Sequence, residues 1–207
     1  IFLDFLLFLN TKNYFCNILC TIVCATMCTN YAQSFAQLTT LDYNILTTNN
    51  LINMSEKKIM VIGSSNTDMT VVADRLPVPG ETVLGGKFAM GPGGKGANQA
   101  VAAQRLGGNV SFICKVGKDI FGENAIRHYN NEGMDTTGIM LSEQPSGVAL
   151  ISVDTHAENC IVVASGANGD ITEADIESHR KEIEAASILL LQLEIPVEAV
   201  VRAAKIG

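Results

Sequence analysis

Asn66 and Asp68 lie in the polar stretch Gly63-Ser64-Ser65-Asn66-Thr67-Asp68, directly after the short apolar run Lys58 to Ile62. A carboxylate accepts hydrogen bonds from two neighbouring hydroxyls, and a carboxamide both donates and accepts. Together they offer the chemistry that recognises a polyhydroxylated ligand. The same residue types also favour turns for local reasons, and composition alone leaves those two readings level. A second group is Gly91-Pro92-Gly93-Gly94-Lys95-Gly96, with Asn98 two residues on. Glycines let backbone N–H groups approach a ligand closely. A helix starting near Ala97 would present its positive end there, and Lys95 and Asn98 add donors. Such a site suits a polyol or a phosphate, and a plain tight turn is the bland alternative. A third candidate is Glu194, an acid just past the apolar run Ser187 to Leu193 (SILLLQL). Taken alone it reads as an acid complementing the dipole of the next helix.

Two nucleotide-binding readings of the glycine segment fail on spacing. Gly91, Gly93 and Gly96 formally satisfy GxGxxG, but a dinucleotide fingerprint follows the first strand directly, and this one lies well downstream. A P-loop fails as well, because Ala89 stands at its first glycine and Gly96 where Ser or Thr should follow Lys95. A decoy occurs at Gly166-Ala167-Asn168-Gly169-Asp170, which looks like a Gly-Ala-Gly-Asp loop with one residue inserted. The three histidines, His128, His156 and His179, are isolated.

The elements that must position these residues are legible in outline. Lys58 to Ile62 reads as a buried first strand. Met69 to Ala73 reads as a second, and Thr82 to Leu84 with Lys87 to Met90 as a hairpin. Ala97 to Leu106 is Ala-rich and helical, closed by Gly107-Gly108. Asn109 to Cys114 is a strand and Phe121 to Asn131 a helix. Val148 to Val153 and Cys160 to Ala164 are strands around a polar turn. Thr172 to Asp175 resembles a capping box opening a helix to about Ile183. Ser187 to Leu193 suits a central parallel strand, and Pro196 suits position N1 of a last helix. The order predicts an α/β protein with a doubly wound, mostly parallel, Rossmann-like sheet and a small separate β-sheet.

The chain has 207 residues and a formal net charge of −7. Its Lys and Arg residues are scattered, which argues against a nucleic-acid footprint. Charge is unevenly distributed, since residues 1–53 hold only Asp4, Lys12 and Asp42. Three readings compete for that segment. Translation from Met54, with 1–53 a read-through artefact, is preferred over a membrane anchor and over a folded subdomain. An anchor would want a basic flank and an uninterrupted apolar stretch. Cys16, Cys20, Cys24 and Cys28 recur every fourth residue without a CxxC pair, which disfavours zinc. Cys114 and Cys160 lie in apolar strand-like runs and read as buried thiols of a reducing compartment.

From Met54 to Gly207 the sequence resembles the family of ribokinase-like sugar and nucleoside kinases. The motifs occur in the family's order: VIGSSNTD at 61–68, LPVPGET at 76–82, GPGGKGANQAVAAQRLG at 91–107, VGKDIFGE at 116–123, SGVALI at 146–151, ENCIVVASGAN at 158–168 and LLLQLE at 189–194. The resemblance implies that Asn66, Asp68, Gly94, Lys95, Asn98 and Glu194 bind sugar hydroxyls. It implies that strands around 69–90, 146–153 and 158–164 form a lid over the sugar that also mediates a homodimer. Closure over a phosphoryl acceptor keeps competing water away. The implied activity is ATP-dependent phosphorylation of D-ribose at its 5-hydroxyl, in the cytoplasm, with no membrane or nucleic-acid partner. The alternatives are a kinase for another sugar or a nucleoside, and a non-catalytic sugar-binding or dimerising protein. The resemblance places the ATP site with its Mg2+, the K+ site and the catalytic base beyond Gly207. The expectation is therefore an N-terminal part, 54–207, of a kinase domain truncated at its C-terminus, with no catalytic residue of its own. The decoy at 166–170 aligns with the lid region, so Asp170 is not the expected base.

Overall fold

In the computed structural model, which describes residues 7–9 and 57–207, the apolar runs assemble into two sheets. Strands β1 (Leu7–Leu9), β2 (Lys58–Ile62), β5 (Asn109–Gly117), β6 (Ile139–Ser142) and β9 (Ile188–Leu191) form the main sheet in the order β1-β9-β2-β5-β6. β2 is its centre, parallel to β9 on one side (Met60 beside Leu189) and to β5 on the other (Met60 beside Ser111). The side chains of β2 alternate between two buried faces, as the period of a strand requires. Ile59 and Val61 pack with Val110, Phe112, Tyr129 and Leu190, whereas Met60 and Ile62 pack with Ile113, Ile176, Leu189 and Leu191. Burial on both faces is why this strand reads as a continuous apolar run.

The first face is covered by α1 (Lys95–Arg105) and α2 (Ile120–Asn131). The second is covered by α3 (Glu173–Ser178), α4 (Arg180–Glu184) and α5 (Val197–Ile206). Ala97, Ala100 and Ala103 let α1 sit close to the sheet, at intervals of three residues along one helix face. Gly107, at φ +88, ends α1. The expected capping box opens α3: Thr172 Oγ1 accepts from the Asp175 backbone N–H at 3.1 Å, and Asp175 Oδ2 accepts from the Thr172 N–H at 2.8 Å. The helix expected to run on to Ile183 is instead split at His179, which closes α3 and precedes α4.

The second sheet contains β3 (Asn66–Val72), β4 (Lys87–Gly93), β7 (Gly147–Val153) and β8 (Asn159–Ala164), in the order β4-β3-β7-β8. β3 runs antiparallel to β4 and parallel to β7, and β7 runs antiparallel to β8. This is the small sheet expected around 69–90, 146–153 and 158–164, with one correction. Thr82 to Leu84 is not a strand, and no hairpin joins it to Lys87. β4 pairs instead with β3 over seven residues, from Val72 beside Lys87 to Asn66 beside Gly93. That long ladder outcompetes a three-residue hairpin in a Pro- and Gly-rich loop. Cys114 is buried as expected, but Cys160 is exposed, because β8 is an edge strand open to solvent.

Residues 1–53 were expected to lie apart from the fold. Within them Leu7–Leu9 forms a strand antiparallel to β9, with Phe8 beside Leu190. The remainder of that segment, including its four cysteines, lies outside the described residues.

Candidate sugar site

The candidate residues converge where β2 ends, β3 begins, α1 starts and β9 ends. Gly63, Ser64 and Ser65 form the turn from β2 to β3. Asn66 and Asp68 are therefore the first and third residues of β3, on one face of it. The core holds this turn from beneath. Tyr129, fully buried and edge-on to Phe112 at 5.4 Å, meets Ser65 Oγ at 2.6 Å through its hydroxyl. The start of α1 is laced onto the same turn, with the Ala97 N–H donating to the Ser64 carbonyl at 2.8 Å and the Gly96 N–H to Ser64 Oγ at 3.3 Å. Gly94 makes the approach possible at φ +91, where a Cβ would lie 2.7 Å from the Asn66 nitrogen.

Glu194 occupies the positive end of α1. Its Oε2 accepts from the Lys95 backbone N–H at 3.3 Å and from Ser64 Oγ at 2.7 Å, and its Oε1 lies 3.2 Å from Lys95 Nζ. A carboxylate is favoured at a helix N-terminus. The dipole that it complements belongs to α1, not to the helix that follows it in sequence. Lys95 and Glu194 are 45% and 32% exposed, so their ion pair adds little to stability. Its chief effect is to fix the two head groups beside the turn.

Asp68 pairs with Gly91 across the β3–β4 ladder, and its carboxylate reaches over Gly93, where a Cβ would fall 2.0 Å from Asp68 Oδ1. Burial, and secondly the negative charge of Glu194, push the Asp68 carboxyl above its ordinary range. Two carboxylates held near one another in a partly dry place work against folding, and such groups cluster at functional sites. Asn98 stands on the first turn of α1, exposed, with its backbone N–H donating to the Gly94 carbonyl at 2.9 Å. Asn66, Asp68, Gly94, Lys95 and Glu194 are thus gathered around one turn, with Asn98 at its margin.

A cavity of about 390 Å³ opens beside this cluster, lined by Ser64, Asn66, Asn168, Leu193 and Glu194 among others. Glu194 is its one charged lining residue. A carboxylate in the wall of the cavity suits a neutral polyol, and no cation among its lining residues stands to receive a triphosphate. Asp170 is turned elsewhere, accepting from Ser142 Oγ at 2.5 Å and lying 3.7 Å from Lys115 Nζ. Sequence reasoning missed Ser64, Gln192, Tyr129 and Asn168. Ser64 and Gln192 fall within the motifs at 61–68 and 189–194 without a role of their own, and Asn168 falls within the segment read as a decoy.

The loop before β7 is tied to the start of α2 by another carboxylate. Asp119 caps α2 by accepting from the Gly122 N–H at 2.9 Å, and accepts from the Ser146 N–H at 2.8 Å and Ser146 Oγ at 2.7 Å. Burial works to raise the Asp119 pKa, and these hydrogen bonds outweigh it and hold the carboxyl below its ordinary range.

Residues 56–207 match the family described as pfkB family carbohydrate kinase. Ribokinase from Haemophilus influenzae is 42% identical over 152 residues, covering 73% of this chain and 50% of that protein. Deoxyribokinase from Salmonella typhi is 39% identical over 150 residues, covering 72% and 49%. The structure of Arabidopsis thaliana ribokinase complexed with ribose and ATP is similar with a TM-score of 0.63 and 29% identity, covering 72% of this chain and 49% of that one. The chain spans about half the length of the curated relatives it matches.

Proposed function

The chain belongs to the pfkB family of carbohydrate kinases, and from that membership we propose that it supplies the acceptor-sugar site of an ATP-dependent kinase acting on the 5-hydroxyl of D-ribose. The observation that carries this reading is the gathering of Asn66, Asp68, Lys95 and Glu194 around the turn at residues 63–65, beside a cavity lined by Asn66 and Glu194. In that arrangement Asp68 and Glu194 accept from sugar hydroxyls, Asn66 and Lys95 donate, and Gly94 and Asn98 complete the rim. These contacts orient the acceptor, and in phosphoryl transfer positioning and charge stabilisation do most of the catalytic work. ATP supplies the phosphoryl group. The lining residues of the cavity include no cation to receive its phosphates, and this proposal assigns the nucleotide with its Mg2+, a K+ ion and the proton-accepting base to parts of the enzyme outside the described residues. Residues 54–207 would then be the N-terminal part of the kinase domain.

A second reading, 2-deoxyribose as acceptor, is favoured by the likeness to deoxyribokinase, nearly as high as that to ribokinase. The two sugars differ by one hydroxyl, so the discrimination depends on a single hydrogen-bonding position.

The small sheet serves in this proposal as lid and as dimer surface. On the face of the sheet away from Asp68, Met90, Met69, Leu150 and Val162 form one cross-strand row, and Met90, Leu150 and Val162 are each more than half exposed. A second copy of the sheet would cover that row, and the solution mass of the full-length protein tests it. No helix among the described residues is long and apolar enough to cross a membrane, and a cytoplasmic site of action belongs to the proposal.

The test is a coupled ADP-release assay with ATP, magnesium and potassium on the full-length enzyme and on residues 1–207. The expected result is ribose-dependent turnover by the former, faster than with 2-deoxyribose, and none by the latter. Turnover with a nucleoside and not with a pentose would replace the substrate assignment. Turnover by residues 1–207 would place a base and a nucleotide site within this chain.

A further inference from the structure

Asn168, in the one-turn 3-10 helix Gly166–Asp170 that follows the lid strand β8, is 1% exposed and makes three hydrogen bonds, two to the turn residue Ser65 and one to Asn66 at the start of β3. Its Oδ1 accepts from the Ser65 N–H at 2.8 Å, and its Nδ2 donates to the Ser65 carbonyl at 3.1 Å and to Asn66 Oδ1 at 2.7 Å. The pattern fixes both carboxamides without ambiguity. A backbone N–H must meet an oxygen and a backbone carbonyl must meet a donor, so Ser65 dictates which way the Asn168 amide faces. The second Nδ2 proton of Asn168 then demands an acceptor, which turns the oxygen of Asn66 towards it. The Asn66 NH2 group is thereby left for a ligand, and both side chains line the cavity beside Glu194.

Gly147, the cross-strand partner of Asn66 on β7, provides the space for this contact. A Cβ there would lie 2.2 Å from both Asn168 Nδ2 and Asn66 Oδ1. The turn that carries Asn168 is itself tied down, with the Ala167 N–H donating to the Pro145 carbonyl at 2.8 Å.

We propose that Asn168 is a positioning residue for the acceptor sugar. It holds the Asn66 carboxamide in the donor orientation, so that β3 presents a donor at Asn66 and an acceptor at Asp68 on one face. A hydroxyl seated between them donates to Asp68 and accepts from Asn66 Nδ2, an arrangement that a freely flipping Asn66 would lose. This inference rests on the sugar-kinase reading and adds to it a residue from the end of the lid, which links lid position to the sense of the sugar contact.

The test is a double-mutant cycle on the full-length enzyme, with ribose KM and ATP KM as readouts. Asn168→Leu removes the clamp, and Asn168→Asp keeps the acceptor for the Ser65 N–H, loses the donor to the Ser65 carbonyl, and offers Asn66 an oxygen, which turns the Asn66 amide round. Each is expected to raise ribose KM roughly tenfold, the loss of one hydrogen bond, with ATP KM unchanged. In an Asn66→Ala background neither should have a further effect, because Asn168 acts through Asn66. Additive effects, or an unchanged ribose KM in a folded Asn168→Asp protein, would overturn the assignment. Should Asn168→Leu fail to fold, Asn168→Asp carries the cycle alone. Side-chain amide NMR separates this inference from the substrate assignment. The Asn66 NH2 signals should shift in Asn168→Asp whichever sugar is the acceptor, and unmoved signals would refute the clamp.

Discussion

Replacing Gly94 with alanine in the full-length enzyme will raise ribose KM roughly a hundredfold and lower the melting temperature. Gly94 precedes α1 at φ +91 and ψ +128, a backbone conformation that residues with a Cβ rarely adopt. Holding alanine there costs on the order of 1–3 kcal/mol. The added Cβ would also lie 2.7 Å from the Asn66 nitrogen, 3.0 Å from the Ser64 carbonyl oxygen and 3.0 Å from the Ser65 Cα. All three are backbone atoms and cannot swing aside, so the turn and the helix start must separate. That separation moves Asn66 away from Lys95 and Glu194, and losing two sugar hydrogen bonds of about 1.4 kcal/mol each weakens binding roughly a hundredfold. Steady-state kinetics with a thermal melt checks both parts. A ribose KM within about threefold of wild type would show that the close approach of α1 does not set the site.

The second large effect is at Asp68. Asp68→Ala should weaken ribose binding by about ten- to a hundredfold, which corresponds to roughly 1.5–3 kcal/mol for hydrogen bonds to a charged acceptor. ATP affinity should not change. Stability should move the other way. Burial and the Glu194 charge raise the Asp68 pKa above 3.8 in the folded state. The folded protein therefore holds the proton more tightly than the unfolded chain. Ionised Asp68 then opposes folding at neutral pH, and this penalty vanishes as pH falls through the raised folded pKa and below 3.8. The Asp68→Asn variant should accordingly melt higher than wild type at pH 7, with the gap closing towards pH 3. Calorimetric titration and melts across that range test the pair. Equal ribose affinity would remove Asp68 from the site, and a lower melting temperature at pH 7 would show that its charge is not the strained element.

Much of this arrangement is visible in the amino-acid sequence because the responsible residues act locally. The runs at Lys58–Ile62 and Ile188–Leu191 are buried on both faces and therefore lack polar alternation. The alanines of α1 and Gly107 after it mark a helix and its end without tertiary information. Partnerships over long sequence distances leave no such trace. Nothing near Lys87 says that β4 will pair with β3, because the choice depends on a seven-residue ladder assembled across a loop. β6 has only four residues and was missed, since its order comes from the parallel ladder to β5, with Cys114 beside Ile139.

The site divides in the same way. Asn66, Asp68, Lys95 and Glu194 stand beside recognisable turns and strand ends. Ser64 and Gln192 look like ordinary polar residues until Ser64 Oγ is seen 3.1 Å from Gln192 Oε1 and 2.7 Å from Glu194 Oε2. Asn168 was hidden for a different reason. Its neighbours resemble a catalytic loop, and setting that loop aside also set aside the buried amide within it. Its hydrogen bonds reach back more than a hundred residues to Ser65 and Asn66.

In the proposed enzyme the turn at residues 63–65, with the starts of β3 and α1 and the end of β9, is the seat of the acceptor sugar. A crystal structure of the full-length enzyme soaked with D-ribose tests it most directly. Ribose is expected within hydrogen-bonding distance of Asn66 Nδ2, the Asp68 carboxylate and the Lys95–Glu194 pair, with the Asn66 oxygen still turned to Asn168. Ribose bound elsewhere, with Asp68 and Glu194 facing only solvent, would contradict it.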